Sequence, residues 1–329
     1  MFSRLRPQAV RDAARRIGGH VKRTPLVKSD ALSRAAGGDV YLKLENLQTT
    51  GSFKLRGALN ALSLLPSDAQ RRGVVTSSAG NHGLGVAYAA NALGIPATIF
   101  VPSTAPDVKK NGIRALGATL DDAQPDYDAA MAAARAFGAE HGLPFVNPCL
   151  GDDLLAGQGT VALEILQELP ALRTLLVPVG GGGLLGGCAS LVRHDAPNAR
   201  IVGAQSDQTA AMARSVAAGR VVEIPVAPTL ADGLAGQIDE HALDIGVHAL
   251  DDIVLLTEDE IARAIAWLHA EHDLKVEGAG AVAAGAALLG KTPLAFPAVA
   301  VVSGGNIDDA RWRGLIGPAL YWHDPCPSP

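Results

Sequence analysis

Short apolar runs alternate with alanine-rich helical stretches along almost the whole chain, and this pattern constrains the fold more than any other feature. Residues 40–44, 74–76, 97–101, 119–121, 175–179, 201–204, 253–256 and 298–302 read as strands. Several are near-continuous apolar runs, as expected for parallel strands buried on both faces. Between them, residues 55–65, 84–93, 105–116, 127–141, 157–169 and 258–272 read as helices. Thr257, followed by Glu258, Asp259 and Glu260, supplies a cap and an acidic first turn. Residues 95–120 read as one βαβ unit. The pattern implies an α/β protein with open, mainly parallel sheets and helices on both faces. Aromatic residues are only 4% of the 329, so Ala, Val, Leu and Ile must fill the core.

The bulk properties exclude several classes. Net charge is −5, and no Lys/Arg cluster stands out beyond the N-terminal stretch, so nucleic acid is not an expected partner. Residues 1–16 carry five arginines with Asp12 among them. They lack the apolar core or acid-free run of a targeting peptide and read as an amphipathic surface helix. No apolar stretch approaches the ~20 residues that span a bilayer, so no membrane partner is expected. Cys149, Cys188 and Cys326 are far apart and odd in number, which suggests neither a disulfide framework nor a metal site and fits a cytoplasmic protein. The proline-rich tail, residues 325–329, reads as frayed.

Four segments carry chemistry. In Gly51-Ser52-Phe53-Lys54-Leu55-Arg56-Gly57, a lysine stands between an aromatic and an apolar residue at a helix start. That is an unusual place for a solvated cation, and Schiff-base chemistry needs an amine; a surface lysine with a buried stem is the plainer alternative. Ser77-Ser78-Ala79-Gly80-Asn81-His82-Gly83 joins an apolar run to a helix, either as a ligand loop or as a capping turn. Gly180-Gly181-Gly182-Gly183 follows a strand and precedes a helix, so bare amides and a helix dipole converge on one point where a phosphate would bind. The same stretch satisfies a dinucleotide fingerprint through Gly181, Gly183 and Gly186, with Asp207 as the acidic partner. The fourth segment is Val301-Val302-Ser303-Gly304-Gly305-Asn306.

In this order, and with Glu277-Gly278-Ala279-Gly280 and Ala156-Gly157-Gln158-Gly159-Thr160 besides, the segments resemble the fold-type II pyridoxal-phosphate (PLP) enzymes, most of all the threonine/serine dehydratases (ammonia-lyases). The dinucleotide alternative leaves Lys54, the Asn81 loop and Ser303 unexplained. The resemblance implies a two-lobed, tryptophan synthase β-like architecture. Residues 1–75 and 149–329 would form the large PLP-binding domain and residues 76–148 a small domain. It implies a Schiff base on Lys54, Phe53 beside the ring, Asn81 on the cofactor 3-hydroxyl and a phosphate held by Gly180, Gly181, Gly182, Gly183 and Leu184. It also places the Ser303 hydroxyl on the pyridine nitrogen, where a hydroxyl is a poor proton source and leaves the ring a weaker electron sink. Ser77, Ser78, Gly80, Asn81, His82 and Cys149 would line the substrate, and Glu277, at the start of what reads as a small-residue turn over residues 277–280, would lie near the cofactor. The activity implied is elimination from a β-hydroxy-α-amino acid, threonine or serine first, to a 2-oxo acid and ammonia, by a homo-oligomer (dimer or tetramer). A bulkier substrate such as hydroxyaspartate or phenylserine, or β-replacement, are the alternatives.

Departures from the pattern narrow it. Related serine racemases place a serine base where Ala79 stands, so one-base elimination is expected over racemisation. Relatives that bind a divalent cation use carboxylates at the positions of Gln205 and Ala211, so no metal is expected there. Cys149 stands where a larger residue is usual, which points to a roomier pocket. Only 26 residues follow Ser303, too few for a C-terminal regulatory domain.

Overall fold

The computed structural model describes residues 5–225 and 227–317, so the tail at 325–329 and Cys326 lie outside the described residues. Nine strands form two sheets among those residues: β1 (Leu26–Lys28), β2 (Val40–Leu44), β3 (Val74–Ser77), β4 (Ala97–Pro102), β5 (Thr119–Gln124), β6 (Thr174–Pro178), β7 (Arg200–Ser206), β8 (Asp252–Leu256) and β9 (Ala298–Val302). The six-stranded sheet runs β1-β2-β9-β6-β7-β8 and the three-stranded sheet β3-β4-β5. All pairings are parallel except β1 with β2. β1 was not expected: three half-exposed residues carry too little periodicity to read.

Side-chain alternation explains why the six-stranded sheet is covered on both faces. Val299 and Val301 of β9, Leu175 and Val177 of β6 and Ile201 of β7 pack into one core, with the helices Pro7–Ile17, Asp152–Glu168 and Gly183–Asp195. Ala298, Ala300 and Val302, Leu176, Val202 and Ala204 face the other core, with Glu258–His272 and Gly278–Leu288. Neighbouring residues of a strand point to opposite faces, so a strand apolar throughout needs two layers of helices.

The three-stranded sheet repeats the plan. Ile99 and Val101 meet Ala87 and Ile113, while Val75 and Phe100 meet Ala130 and Ala134. The helix Lys54–Ser63 joins the two sheets: its Leu55, Leu59 and Leu62 pack with Val74, Ala97 and Val86 on the side of the three-stranded sheet, and its Ala61 packs against a core of the six-stranded one. Ten residues make too short a helix to stand alone. Burying each of those leucines contributes about 1.5–3 kcal/mol, which holds the helix in place.

Two glycine-rich stretches were misread from sequence. Asp152–Glu168 is helical from five residues before the expected start, straight through Gly157 and Gly159. A Cβ at Gly157 would sit 2.4 Å from Arg56 O, and one at Gly159 2.6 Å from Gly187 O. Residues 277–280, expected as a turn, are the start of the helix Gly278–Leu288 with Glu277 at its N-cap. Here a Cβ would lie 2.1 Å from Leu230 O at Gly278 and 2.2 Å from Gly304 O at Gly280. These glycines permit close backbone packing; they do not break the helices.

No helix among the described residues is long and apolar enough to cross a membrane.

Candidate active site

Ligands of open parallel sheets bind outside the carboxyl ends of the strands, and the expected site residues lie at such ends. β6 and β9 are adjacent and parallel. Gly180–Gly183 leaves one and Ser303 leaves the other. Ser77 ends β3 in the second sheet.

Lys54 opens the helix Lys54–Ser63 with Phe53 at its N-cap. Its Nζ donates to Pro148 O at 2.8 Å, lies 4.0 Å from Cys149 Sγ and sits 5.4 Å from the Phe53 ring centroid. The segment before it is tied to β9: Phe53 N–H donates to Ser303 O, Gly305 N–H to Gly51 O, and Ser52 bridges Gly304. Helix Asn81–Leu93 crosses close by, where a Cβ on Gly85 would lie 3.2 Å from the Lys54 carbonyl carbon.

Cys149 packs beneath the glycine loop. A Cβ on Gly181 would stand 2.7 Å from Cys149 Sγ, and one on Gly183 3.0 Å from Cys149 O. Gly182 has φ 86°, a conformation L side chains resist, and is the N-cap of Gly183–Asp195 without a side-chain cap. The first-turn amides of that helix, those of Gly183, Leu184 and Leu185, have no intrahelical acceptor and sit at its positive end. The Leu184 side chain itself belongs to the core, so only its backbone is available to a ligand.

The Asn81 loop is shaped by its backbone. Ser78 Oγ accepts from Gly80 N–H, which shapes the turn and leaves its O–H as a donor. Ser78 O packs so tightly that a Cβ on Gly83 would sit 2.0 Å away. Ser77 Oγ is buried without a partner. His82 is buried, and burial followed by the nearby Lys54 charge lowers its imidazole to about 3, so the ring is neutral. Its Nε2 is 3.0 Å from Val146 O, which can only accept, so Nε2 carries the proton. Nδ1 is then a bare acceptor, and it too is buried without a partner.

Glu277 and Asn306 reach the same loop. Asn81 Nδ2 donates to Glu277 Oε1 at 2.7 Å, and Asn306 Nδ2 donates to Asn81 Oδ1 at 2.7 Å. Burial pushes the Glu277 carboxyl up to about 7 despite the Asn81 hydrogen bond. Asn306 had been read only as the end of a motif; its role follows from a contact 225 residues away in sequence.

Ser303 is nearly fully buried, and its Oγ donates to Ala279 O at a long 3.3 Å. Gln205 Oε1 accepts from Ala213 N–H, so its carbonyl is committed locally. Among the described residues no group of three or more His, Cys, Asp or Glu side chains is arranged to hold a metal ion.

Buried polar atoms left without partners mark where a ligand supplies them. Ser52 Oγ, Ser77 Oγ, His82 Nδ1 and Thr50 Oγ1 are such atoms in the segments around Lys54. Together with the first-turn amides that follow the glycine loop, which have no intrahelical acceptor, and the Lys54 amine, they fit a polar, phosphorylated aldehyde.

Comparison with known proteins agrees. A family model described as pyridoxal-phosphate dependent enzyme matches residues 17–304. The L-threonine ammonia-lyase of Geobacter sulfurreducens is 43% identical over 320 residues, covering 95% of this chain and 79% of that protein. Among solved structures, maize serine racemase superposes with a TM-score of 0.89 at 30% identity over 94% of this chain and 96% of that one. The processed form of threonine deaminase isoform 2 from Solanum lycopersicum gives 0.88 at 32% identity over 95% and 92%.

Proposed function

The chain belongs to the pyridoxal-phosphate dependent enzyme family, and from that premise we propose that it is an ammonia-lyase. It removes water from a β-hydroxy-α-amino acid, L-threonine or L-serine first, and releases a 2-oxo acid and ammonia. The observation that carries this is Lys54 Nζ, held 2.8 Å from Pro148 O between the glycine loop and the Asn81 loop.

The bound cofactor supplies an electron-withdrawing ring that acidifies the Cα–H of the attached amino acid. The residues divide the remaining work. Lys54 holds the cofactor at rest, and its freed amine takes the Cα proton as general base. The amides of Gly180–Gly183 and Leu184 bind the phosphate, and Phe53 borders the ring. Ser77 and the backbone around Gly80, with the amides of Asn81 and His82, form the polar wall for the substrate carboxylate, while the bare Nδ1 of the neutral His82 ring can only accept and would meet a donor of the ligand. Cys149, between Lys54 and Gly181, borders the space for the substrate side chain. The hydroxyl leaves Cβ with an added proton as water, which balances the proton Lys54 takes from Cα, and the enamine left behind takes up water to give the oxo acid and ammonia. Ser303 would meet the ring nitrogen with its hydroxyl, a weak proton source, in exchange for its long bond to Ala279 O. This favours prompt departure of the β-substituent over a long-lived carbanion.

One structural neighbour is a serine racemase, so racemisation is the second reading. A two-base racemase needs a proton acceptor on each substrate face, and Ala79 has no titratable group. The proposal extends to a homo-oligomer, to a small lobe of residues 76–148 and to the cytoplasm, a setting that suits the free thiols of Cys149 and Cys188.

The test is 2-oxo acid release from L-threonine, L-serine, threo-3-hydroxyaspartate and phenylserine, each with Lys54→Ala as control. Release that vanishes in the control supports elimination, and the rank order names the substrate. D-serine appearing from L-serine without oxo acid would favour the racemase. Sedimentation velocity reads the oligomeric state.

A further inference from the structure

The side-chain amide of Asn81 is held by a hydrogen-bond chain whose direction is fixed at both ends. At one end Asn306 Nδ2 donates to Thr50 O at 2.8 Å. A backbone carbonyl only accepts, so this contact assigns the nitrogen of Asn306 unambiguously. The same Nδ2 donates to Asn81 Oδ1 at 2.7 Å. At the other end Asn81 Nδ2 donates to Glu277 Oε1 at 2.7 Å. Reversing Asn81 would set its NH2 against that of Asn306 and its carbonyl against a carboxylate.

The chain is also clamped sterically. Gly51, at φ 74°, leaves room for Asn306, where a Cβ would come within 2.3 Å of Oδ1. Gly304 leaves room for Glu277, where a Cβ would come within 2.2 Å of Oε1. Glu277 N–H donates to Gly304 O, which ties the carboxylate's own backbone to the β9 end that carries Ser303. Four separate segments therefore meet at one amide: those after β2, after β3 and after β9, and the one that leads into the helix Gly278–Leu288.

We propose that Glu277 and Asn306 are positioning residues that lock Asn81 as a hydrogen-bond donor toward the cofactor. Of the two Asn81 N–H bonds, one is taken by Glu277 and the other is left for the ligand; the Asn81 oxygen is already occupied. The inference rests on the cofactor assignment made above. Glu277 is faced by Asp232, Lys109 and Lys54; Lys109 and Asp232 lie 3.6 Å from one another. The Glu277 carboxyl titrates near 7 in this setting, so the strength of the acceptor behind Asn81 changes across the neutral range.

The experiment is a double-mutant cycle on the holoenzyme with Asn81→Ala, Glu277→Ala and the pair, read by the dissociation constant of pyridoxal phosphate and by the visible absorbance of the bound cofactor. Glu277→Ala is expected to weaken cofactor binding roughly ten- to hundredfold, the range for a lost hydrogen bond to a charged group. The double variant should lose little more than Asn81→Ala alone, since both act through one amide. Glu277→Gln keeps an acceptor for Asn81 and should restore binding to within about threefold. It should also abolish the change in visible absorbance around pH 7 that is expected of the wild type, whose Glu277 carboxyl is pushed up to about 7. Asn306→Ala removes the opposite pin and should likewise be non-additive with Asn81→Ala. Additive losses overturn the inference, as does a Glu277→Gln variant that melts like wild type yet binds as poorly as Glu277→Ala. A wild-type protein that binds no cofactor and shows no visible band overturns the cofactor assignment itself, and the inference with it.

Discussion

Replacing Glu164 by alanine should destabilise this protein by about 3–5 kcal/mol, the range for removing one partner from a buried ion pair. Four charged side chains meet beside the helix Lys54–Ser63: Lys43, Glu45, Arg56 and Glu164. The side chains of Lys43, Arg56 and Glu45 have no exposed surface, and that of Glu164 has 12%. Two cations and two carboxylates balance. Glu164 accepts from Arg56 Nη1 at 2.7 Å, Arg56 Nη2 at 3.0 Å and Lys43 Nζ at 2.6 Å. Its removal strands one net positive charge and leaves three donors without that acceptor. Glu164→Gln should rescue little, because an amide NH2 facing Arg56 or Lys43 sets donor against donor. Urea unfolding of the cofactor-free protein, followed by far-ultraviolet circular dichroism, reads both variants. A loss below about 1 kcal/mol, the value typical of exposed pairs, would refute the reasoning. It would mean that the adjoining cleft of about 490 Å³, lined by Arg56, Thr160 and Glu164 among others, hydrates the network.

Further outcomes follow from the same geometry. Gly181→Ala should cut kcat of the cofactor-saturated enzyme by roughly a hundredfold, the scale of a misplacement of about 1 Å. The new Cβ would meet Cys149 Sγ at 2.7 Å and Cβ at 2.9 Å, displacing the segment whose Pro148 carbonyl holds Lys54; unchanged steady-state kinetics would contradict this. Gly280→Ala should cost about 1–3 kcal/mol by overpacking, since its Cβ would lie 2.2 Å from Gly304 O; thermal melts of the holoenzyme check it. His82 is held at about 3 when folded against an ordinary 6.5, so the unfolded chain binds more protons between those values. Stability should therefore fall as pH drops below about 6.5, by up to ~1.4 kcal/mol per pH unit. Glu45 adds acid lability at lower pH: burial alone would raise its carboxyl, but Arg56, Thr24 and Lys43 hold it below the usual range. Its contribution is present above the ordinary carboxylate range and lost as pH falls through the lowered value. Urea midpoints between pH 4 and 7 should show a shallower slope for His82→Gln; equal slopes would exclude His82 as a cause.

Much of this protein was written locally. The apolar runs of β6, β7 and β9 needed two helical layers, and the alternation of their side chains between two cores is a property of any strand. The helices Tyr127–His141 and Glu258–His272 end where their caps and periodicity say they should. The second starts with a capping box formed by Thr257 and Glu260. Lys54, the glycine loop and Asn81 stood out because their chemistry is carried by contiguous residues.

Contacts between distant segments were decided only in three dimensions. Glycines 157, 159, 278 and 280 weaken a helix in one dimension, and only the backbone that approaches each of them explains why no side chain stands there. Lys43 lies in an apolar strand, and nothing local says that it belongs to a buried ion network. Its partners, Arg56 and Glu164, become partners only when β2 and two helices pack together. The same holds for Asn81, Glu277 and Asn306. Sequence specifies a residue's chemistry and its local conformation, but which acceptor a donor finds depends on segments about 200 residues apart closing onto one point.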